Sequence, residues 1–308
     1  MWFKNLQIYR FTKPFELAAD TLARQLEEQV FQPCGNHEVL RSGWVPPLGR
    51  HGSELVHATN GFLMVCLKRQ EKLLPAGVIN EALEEKALEI EAREARPVPR
   101  KERRALREEV YFSLLPKALA RSRLQFAYIS PRDQLLIVDA AASSRAEDLL
   151  QAMRDSLGSL SVIPLTSLRQ PIDVMTGWVK SGHCPQGFEL GDEGELRDNN
   201  DVNSLIRCKR QDLGSSEIVN HLATGMHVSK LALSWQQRLE FVIDENLIVR
   251  RLRFADIIQE QADDIETGDA AAQFDVDFSI MALELSAFIE ALGEAFGGLE
   301  DAEKAQSS

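Results

Sequence analysis

Residues 3–11 alternate apolar and polar side chains, the period-two pattern of a half-buried strand. Residues 16–31 change to helical spacing, with Leu17, Leu22, Leu26 and Val30 on one stripe. A short apolar run at 61–67 predicts a strand. Residues 78–96 predict a long helix with Ile79, Leu83, Leu88 and Ile90 apolar, stopped by Pro97 and Pro99. A second helix is predicted over 102–119, with Val110, Phe112, Leu114 and Leu115 apolar and a break or kink at Pro116. Residues 124–140 predict a hairpin, FAYIS and LLIVDA around a turn at Pro131, Arg132 and Asp133. Residues 145–157 predict a helix ended by Gly158. The last element, 276–299, is a helix with Phe278, Met281, Leu285, Phe288, Leu292 and Phe296 on one broad stripe and acids opposite. The stripe reads as packing on its own domain; help at a subunit contact is the alternative.

The chain also echoes itself. Cys66, Leu67, Lys68, Arg69, Gln70, then Val78, Ile79, Asn80 and Leu83, match Cys208, Lys209, Arg210, Gln211, then Ile218, Val219, Asn220 and Leu222. A hairpin-then-helix pattern at 124–153 returns at 239–258. The prediction is an α+β protein whose β-rich body contains a partly duplicated β-α-β-β-α unit, chance similarity being the alternative. Residues 1–75 with 124–170 make the first unit, 76–123 a helical basic arm, 171–260 the second unit and 261–308 an acidic helix and tail.

Composition sets the class. The chain has 308 residues, 44% hydrophobic and 27% charged, which excludes a disordered or collagenous protein and allows about two domains. A net charge of −12 argues against nucleic acid until it is segmented. Residues 255–308 hold fourteen acids against Lys304 alone, a charge of −13, which leaves the first 254 residues at +1. Residues 96–132 hold ten bases against Glu102, Glu108 and Glu109, a local +7. Such internal asymmetry points to nucleic acid.

No signal-peptide pattern and no apolar run of membrane-spanning length is present, so a cytosolic protein is expected. Cys34, Cys66, Cys184 and Cys208 are far apart, and Cys34 with His37 lacks a second ligand pair, so neither a disulfide scaffold nor a metal site is expected. Phosphate-loop, dinucleotide, serine-hydrolase and zinc-protease motifs are absent, and His37, His51, His57, His183, His221 and His227 fall in no nucleophile pattern. His51 and His57 flank a Gly/Ser turn and read as surface loop residues. Two acidic clusters, Asp192, Glu193, Glu195 and Asp263, Asp264, Glu266, are the only candidates for a two-metal nuclease, and their polar surroundings favour a solvated face. No catalytic residue and no cofactor is expected.

The basic arm is the stronger lead. Arg100, Lys101, Arg103, Arg104 and Arg107 lie within about two helical turns, enough to meet several phosphates, and Lys117, Arg121 and Arg123 continue the field. The alternative is a solvated face with Arg104–Glu108 and Glu89–Arg93 pairs. Two further groups, Arg207, Lys209, Arg210 with Gln211, and Arg250, Arg251, Arg253, favour a phosphate-tracking surface. No aromatic residues interleave as a stacking platform, so binding without sequence preference and with strong salt dependence is expected.

Several strings then carry a family resemblance: MWFKNLQIYRF at 1–11, FQPCG at 31–35, GWVPPLG at 43–49, SLLPKAL at 113–119, SLGSL at 156–160, KRQDL at 209–213 and KLALSWQQRLEF at 230–241. They resemble the RdgC family of bacterial recombination-associated proteins, from residue 1 to about 298. The resemblance implies a non-enzymatic, nucleoid-associated protein that binds single- and double-stranded DNA with little sequence preference. It implies horseshoe-shaped subunits closing into a ring-like dimer around duplex DNA, and restraint of RecA by competition for DNA or by limiting its filament. Arg100, Lys101, Arg103, Arg104, Arg107, Lys117, Arg121, Arg123, Lys209, Arg210 and Gln211 are the candidate phosphate contacts, and Leu114, Leu115 and Leu119 the candidate dimer contact at the arm's tip. A ring of two horseshoes needs a second contact, from edge strands or the C-terminal helix. Where an aromatic is expected after the Leu-Leu-Pro segment, this chain has Ala118 and Leu119, which changes that contact. The tail LEDAEKAQSS is expected to be disordered. The rival readings are a protein adaptor acting directly on RecA and a metal-dependent DNA nuclease.

Overall fold

The computed structural model describes residues 1–198, 204–263 and 268–300. In chain order the elements are β1 (Asn5–Phe11), α1 (Ala19–Leu26), β2 (Leu40–Val45), β3 (Val56–Thr59), β4 (Phe62–Leu73), α2 (Ala76–Glu94), α3 (Arg100–Leu114), β5 (Leu119–Ser130), β6 (Leu135–Val138), α4 (Ser143–Leu157), β7 (Val162–Pro164) and α5 (Pro171–Ser181). The second half continues with β8 (Phe188–Asp198), β9 (Leu205–Lys209), α6 (Ser216–Ala223), β10 (Met226–Trp235), β11 (Leu239–Asp244), β12 (Val249–Phe254), α7 (Asp256–Asp263) and α8 (Ala270–Ala295). The α+β class holds. One antiparallel sheet runs β2-β4-β5-β6-β1-β12-β11-β10-β8-β9, with β3 on β4 and β7 on β1.

Two apolar layers follow from strand alternation. On one face, Leu6, Tyr128 and Ile137 from the first half and Phe241, Ile243 and Leu252 from the second pack with α5, α6, α7 and α8. On the other face, Tyr9, Val65, Ile129 and Val138 pack with Leu22 and Leu26 of α1 and Leu149, Leu150 and Met153 of α4. That second core draws on no residue of β8 to β12, so there the sheet keeps a polar face among the described residues. The helices stop where their chemistry says. Gly158 and Gly182 close α4 and α5 in the left-handed region, and Asp269 caps α8 by accepting hydrogen bonds from the amides of Ala271 and Ala272.

Four expectations change. The helix expected over 102–119 ends at Leu114; Pro116 lies in a 3-10 turn, Leu115–Lys117, and Arg121 and Arg123 belong to a strand. Likewise β4 runs to Leu73, beyond the expected 67. The outer ends of β4 and β5 pair fully, down to Leu73 with Leu119. Side chains there meet solvent on both faces, so no apolar alternation announces the strand. The Cys66 and Cys208 strings also occupy unlike places, since β4 pairs directly with β5 whereas β8 separates β9 from β10. His57, expected on a surface loop, lies in β3, mostly buried against Phe274 and Phe278. The expected C-terminal stripe is buried in its own subunit, with Phe278, Met281, Leu285, Phe288, Leu292 and Phe296 all in the core. Within the expected tail, 301–308 lie outside the described residues.

One glycine marks a close approach. A Cβ on Gly43 of β2 would stand 2.5 Å from the Phe31 Cα and 2.6 Å from its nitrogen, where Phe31 donates its N–H to the Trp44 carbonyl. Gly43→Ala is expected to destabilise by roughly 1–3 kcal/mol, because backbone rather than a side chain must move. Gly77→Ala, with nothing within 4 Å, is expected to stabilise by roughly 0.5 kcal/mol. Urea midpoints of the two variants test the pair; equal shifts would contradict the packing.

Candidate nucleic-acid interface

Directly opposed residues in an antiparallel pair share a face, so register alone carries a side from strand to strand. In the ribbon of β4 and β5, Arg69 faces Arg123 and Glu71 faces Arg121, with Ala127 further along the same side. Ala127 pairs with Val138, and Val138 with Gln7. Asn5, two residues from Gln7, pairs with Arg250, which pairs with Val242. Asp244, two residues on, pairs with Lys230, Lys230 with Glu195 and Glu195 with Arg207. Glu193 pairs with Lys209. The sheet therefore gathers Arg69, Arg121, Arg123, Arg250, Lys230, Arg207 and Lys209 on one face, opposite the side buried by α8.

Among the recesses along this face, two are lined by several arginines. One, about 490 Å³, sits between the ribbon and α4 and is lined by Arg69, Arg121, Arg123 and Arg145. Asp148 of α4 pairs with Arg69, and Glu71 lies 3.9 Å from Arg123. The other is an open groove of about 840 Å³ over the second half, with Arg210, Gln211, Arg251 and Arg253 facing Asp192, Glu193 and Glu240. Arg251 pairs with Glu193 at 2.5 Å, and that hydrogen bond holds the Glu193 carboxyl below its usual range.

Glu195 is the electrostatic centre of the second half. Its side chain is buried, yet it accepts from Lys230 at 2.9 Å, Arg207 at 3.1 Å, Arg197 at 3.2 Å and the Ser229 hydroxyl at 3.3 Å. Burial alone would raise its pKa. Hydrogen bonds from Lys230 and Arg207, with the charges of Lys230 and Arg197, outweigh that and lower it. One carboxylate thus holds three cations at the sheet surface. Asp192, Glu193 and Glu195, weighed as metal ligands, face arginines and lysines instead, and no group of three or more potential ligands forms among the described residues. In the other cluster Asp264 and Glu266 and the side chain of Asp263 lie outside the described residues.

The arm is less free than its composition suggests. Arg103 pairs with Glu84, Lys86 with Glu109 at 2.8 Å, and Arg107 donates to the Asn80 side chain at 3.0 Å, all between α2 and α3. Arg96 pairs with Glu94 and Glu102, whose hydrogen bonds raise its pKa further. The ion pairs of the arm are thus these links rather than the Arg104–Glu108 and Glu89–Arg93 pairs of the solvated-face alternative. Arg100, Lys101, Arg104 and Lys117 are exposed and form no ion pair among the described residues. Lys209 lies on the edge strand β9, and Arg210 follows it with φ of 52°. Of the three apolar contact candidates, Leu119 is 80% exposed and Leu114 half-buried. Leu115 is 0% exposed, packed inside its own subunit at the base of the arm, so it cannot face a partner. Sequence reasoning missed Arg69, Arg145, Arg197 and Lys230. Arg69 stands in the wholly polar run 68–72, where no apolar alternation marked a strand.

The RdgC family profile, described as "Putative exonuclease, RdgC", matches residues 1–299. The chain belongs to the RdgC family. The protein called Recombination-associated protein RdgC in Aeromonas hydrophila is 46% identical over 300 residues, covering 97% of this chain and 99% of that one. The relatives of the same name in Psychromonas ingrahamii and Tolumonas auensis are 44% and 43% identical over 298 residues, each covering 97% of this chain and 99% of the relative. The alignments thus cover nearly the whole of this chain and of each relative. No helix among the described residues is long and apolar enough to cross a membrane.

Because the folded pKa of Glu195 is lowered, its stabilisation is present above the ordinary carboxylate range and is lost as pH falls through the folded value. Glu195→Gln is expected to cost roughly 1–3 kcal/mol at neutral pH and to flatten the acid side of the stability profile. Chemical denaturation from pH 3 to 7 measures both; an unchanged profile would remove Glu195 from this role.

Proposed function

We propose that this chain is a non-enzymatic DNA-binding protein that contacts phosphates without sequence preference and acts as a ring-shaped homodimer of horseshoe-shaped subunits around duplex DNA. In this reading it also binds single strands, associates with the nucleoid in the cytoplasm, and restrains RecA-dependent recombination by competing for DNA or limiting the RecA filament. One observation carries the proposal: the continuous register that collects Arg69, Arg121, Arg123, Arg250, Lys230, Arg207 and Lys209 on one sheet face. The recombination-associated relatives set the biological context. Cations aligned along one face meet successive backbone phosphates and release counterions, whereas no aromatic side chain lines the recess beside α4, and Phe241, the one aromatic lining residue of the larger groove, is buried in the core and offers no exposed ring to stack on bases.

The other face is buried by α8, whose exposed Glu290 and Glu294 repel phosphate. DNA is thereby directed to the cationic side. Closure needs self-complementary apolar contact. Leu119 and the paired Leu73, both exposed at the far end of the ribbon, supply one candidate, with Phe112 of α3 also exposed. Edge strand β9 is the candidate for the other end.

Two rivals make different demands. The exonuclease of the family description would need a reacting centre, yet the carboxylates of β8 face arginine and lysine. A RecA adaptor would not need the aligned cations.

A plasmid assay separates these readings. Binding is expected to weaken steeply with salt, and the double variant Arg121→Glu with Arg123→Glu to lower duplex affinity roughly tenfold or more. Nicked or relaxed circles should dissociate more slowly than short linear duplex, and Leu119→Asp should abolish that difference. A flat salt response, or strand loss in Mg²⁺ that tracks the purified protein, would overturn the proposal. Unchanged DNA affinity in the double variant together with lost RecA inhibition would favour the adaptor.

A further inference from the structure

The recess between the β4–β5 ribbon and α4 differs from the rest of the cationic face. It is walled on one side by a helix, and arginines reach it from three elements: Arg69 from β4, Arg121 and Arg123 from β5, and Arg145 from the first turn of α4. Its carboxylates are already engaged. Asp148 pairs with Arg69, and Glu71 lies nearest Arg123 at 3.9 Å. Asp139 takes hydrogen bonds from the amides of Lys4 and Asn5 and from the Asn5 side chain, and burial raises its pKa. Arg121 and Arg145 have no ion-pair partner among the described residues.

Size and lining restrict the occupant. A volume of about 490 Å³ admits one phosphate with its sugar and excludes the cross-section of a duplex. No aromatic side chain lines it, so nothing there stacks on a base. Guanidinium groups from separate elements suit a phosphate, which offers several oxygens to fixed donor forks.

We propose that this recess is a phosphate seat, in which Arg121, Arg123 and Arg145 clasp a single phosphate group while Asp148 holds Arg69 aside. The proposal rests on the reading of this face as a phosphate-binding surface and deepens it: most of the face follows the DNA backbone, and this recess grips one point of it. The same chemistry would accept the phosphate of a free nucleotide.

Phosphorus NMR of inorganic phosphate titrated with the full chain tests the seat. Saturable binding is expected, weakened roughly three- to tenfold by Arg121→Gln and by Arg145→Gln, each an exposed side chain whose loss should leave the urea midpoint unchanged. Arg132→Gln, at the β5–β6 turn outside the recess, is expected to bind like the parent chain. Absence of saturable binding, or equal binding by all three variants and the parent, would overturn the seat. Competition then identifies the source. Displacement of phosphate by duplex, lost in the two recess variants, assigns the seat to the DNA backbone. Displacement by a nucleoside triphosphate and not by duplex assigns it to a free nucleotide, which upholds the seat while removing it from the DNA surface. If the parent chain binds phosphate but no DNA, the seat stands and the DNA reading falls.

Discussion

Everything on the cationic face depends on where β1 sits. This strand pairs with β6 on one side and with β12 on the other, where the register sets Asn5 against Arg250 and Leu6 against Val249. A slip of one residue there would turn the second half's side chains over relative to the first. Leu6 and Val249 lie in the core beneath α8, so burial fixes the register: a slip would expose both leucine and valine and bury arginine. The helix layer reinforces it. The amino group of Met1 pairs with Asp277, His57 of β3 meets Asp275 at 3.1 Å, and Arg238 grips Glu284 with two hydrogen bonds of 2.7 and 2.6 Å. Strands from both halves are thereby held to one long helix.

The net charge of −12 acquires a geometric meaning from this arrangement. Part of the C-terminal acidity is engaged within the subunit, since Asp277 and Glu284 are mostly buried in ion pairs and the half-exposed Asp275 meets His57. Part remains outside, where Glu290 and Glu294 are exposed. The positive side is equally structured. Many of its cations are held by carboxylates, which keeps like charges side by side at tolerable cost. A patch of unpaired arginines would repel itself; a lattice of shared carboxylates does not.

The elements with one clean buried face were legible in the sequence. The periodicity of β1, α4 and α8 and the turn between β5 and β6 all correspond to observed elements, because burial on one side imprints itself on spacing. The ribbon was not legible beyond residue 67, since its outer strands gain stability from hydrogen bonding to each other and leave no apolar signature. That omission left Arg121 and Arg123 assigned to the helical arm rather than to a strand. Cation density in 96–132 was legible as composition, but its pairing was not. Glu84 and Lys86 lie on α2, across from Arg103 and Glu109 of α3, and no linear spacing reveals such partners. Lys230 and Arg197 were invisible for the same reason: their importance comes from converging on Glu195. Leu115 was read as a dimer contact because an apolar residue near a helix end looks the same in sequence whether it packs into its own core or meets a partner.

The central claim is that one face of one sheet meets DNA. Hydrogen–deuterium exchange with and without a duplex longer than the chain is wide tests it most directly, because it reports which backbone amides the DNA shields. Protection is expected along the β4–β5 ribbon near Arg121 and Arg123 and along β9 near Arg207 and Lys209, with the outer surface of α8 unchanged. Protection confined to α8, or confined to the tip of α2 and α3 with none on the sheet, would contradict the account.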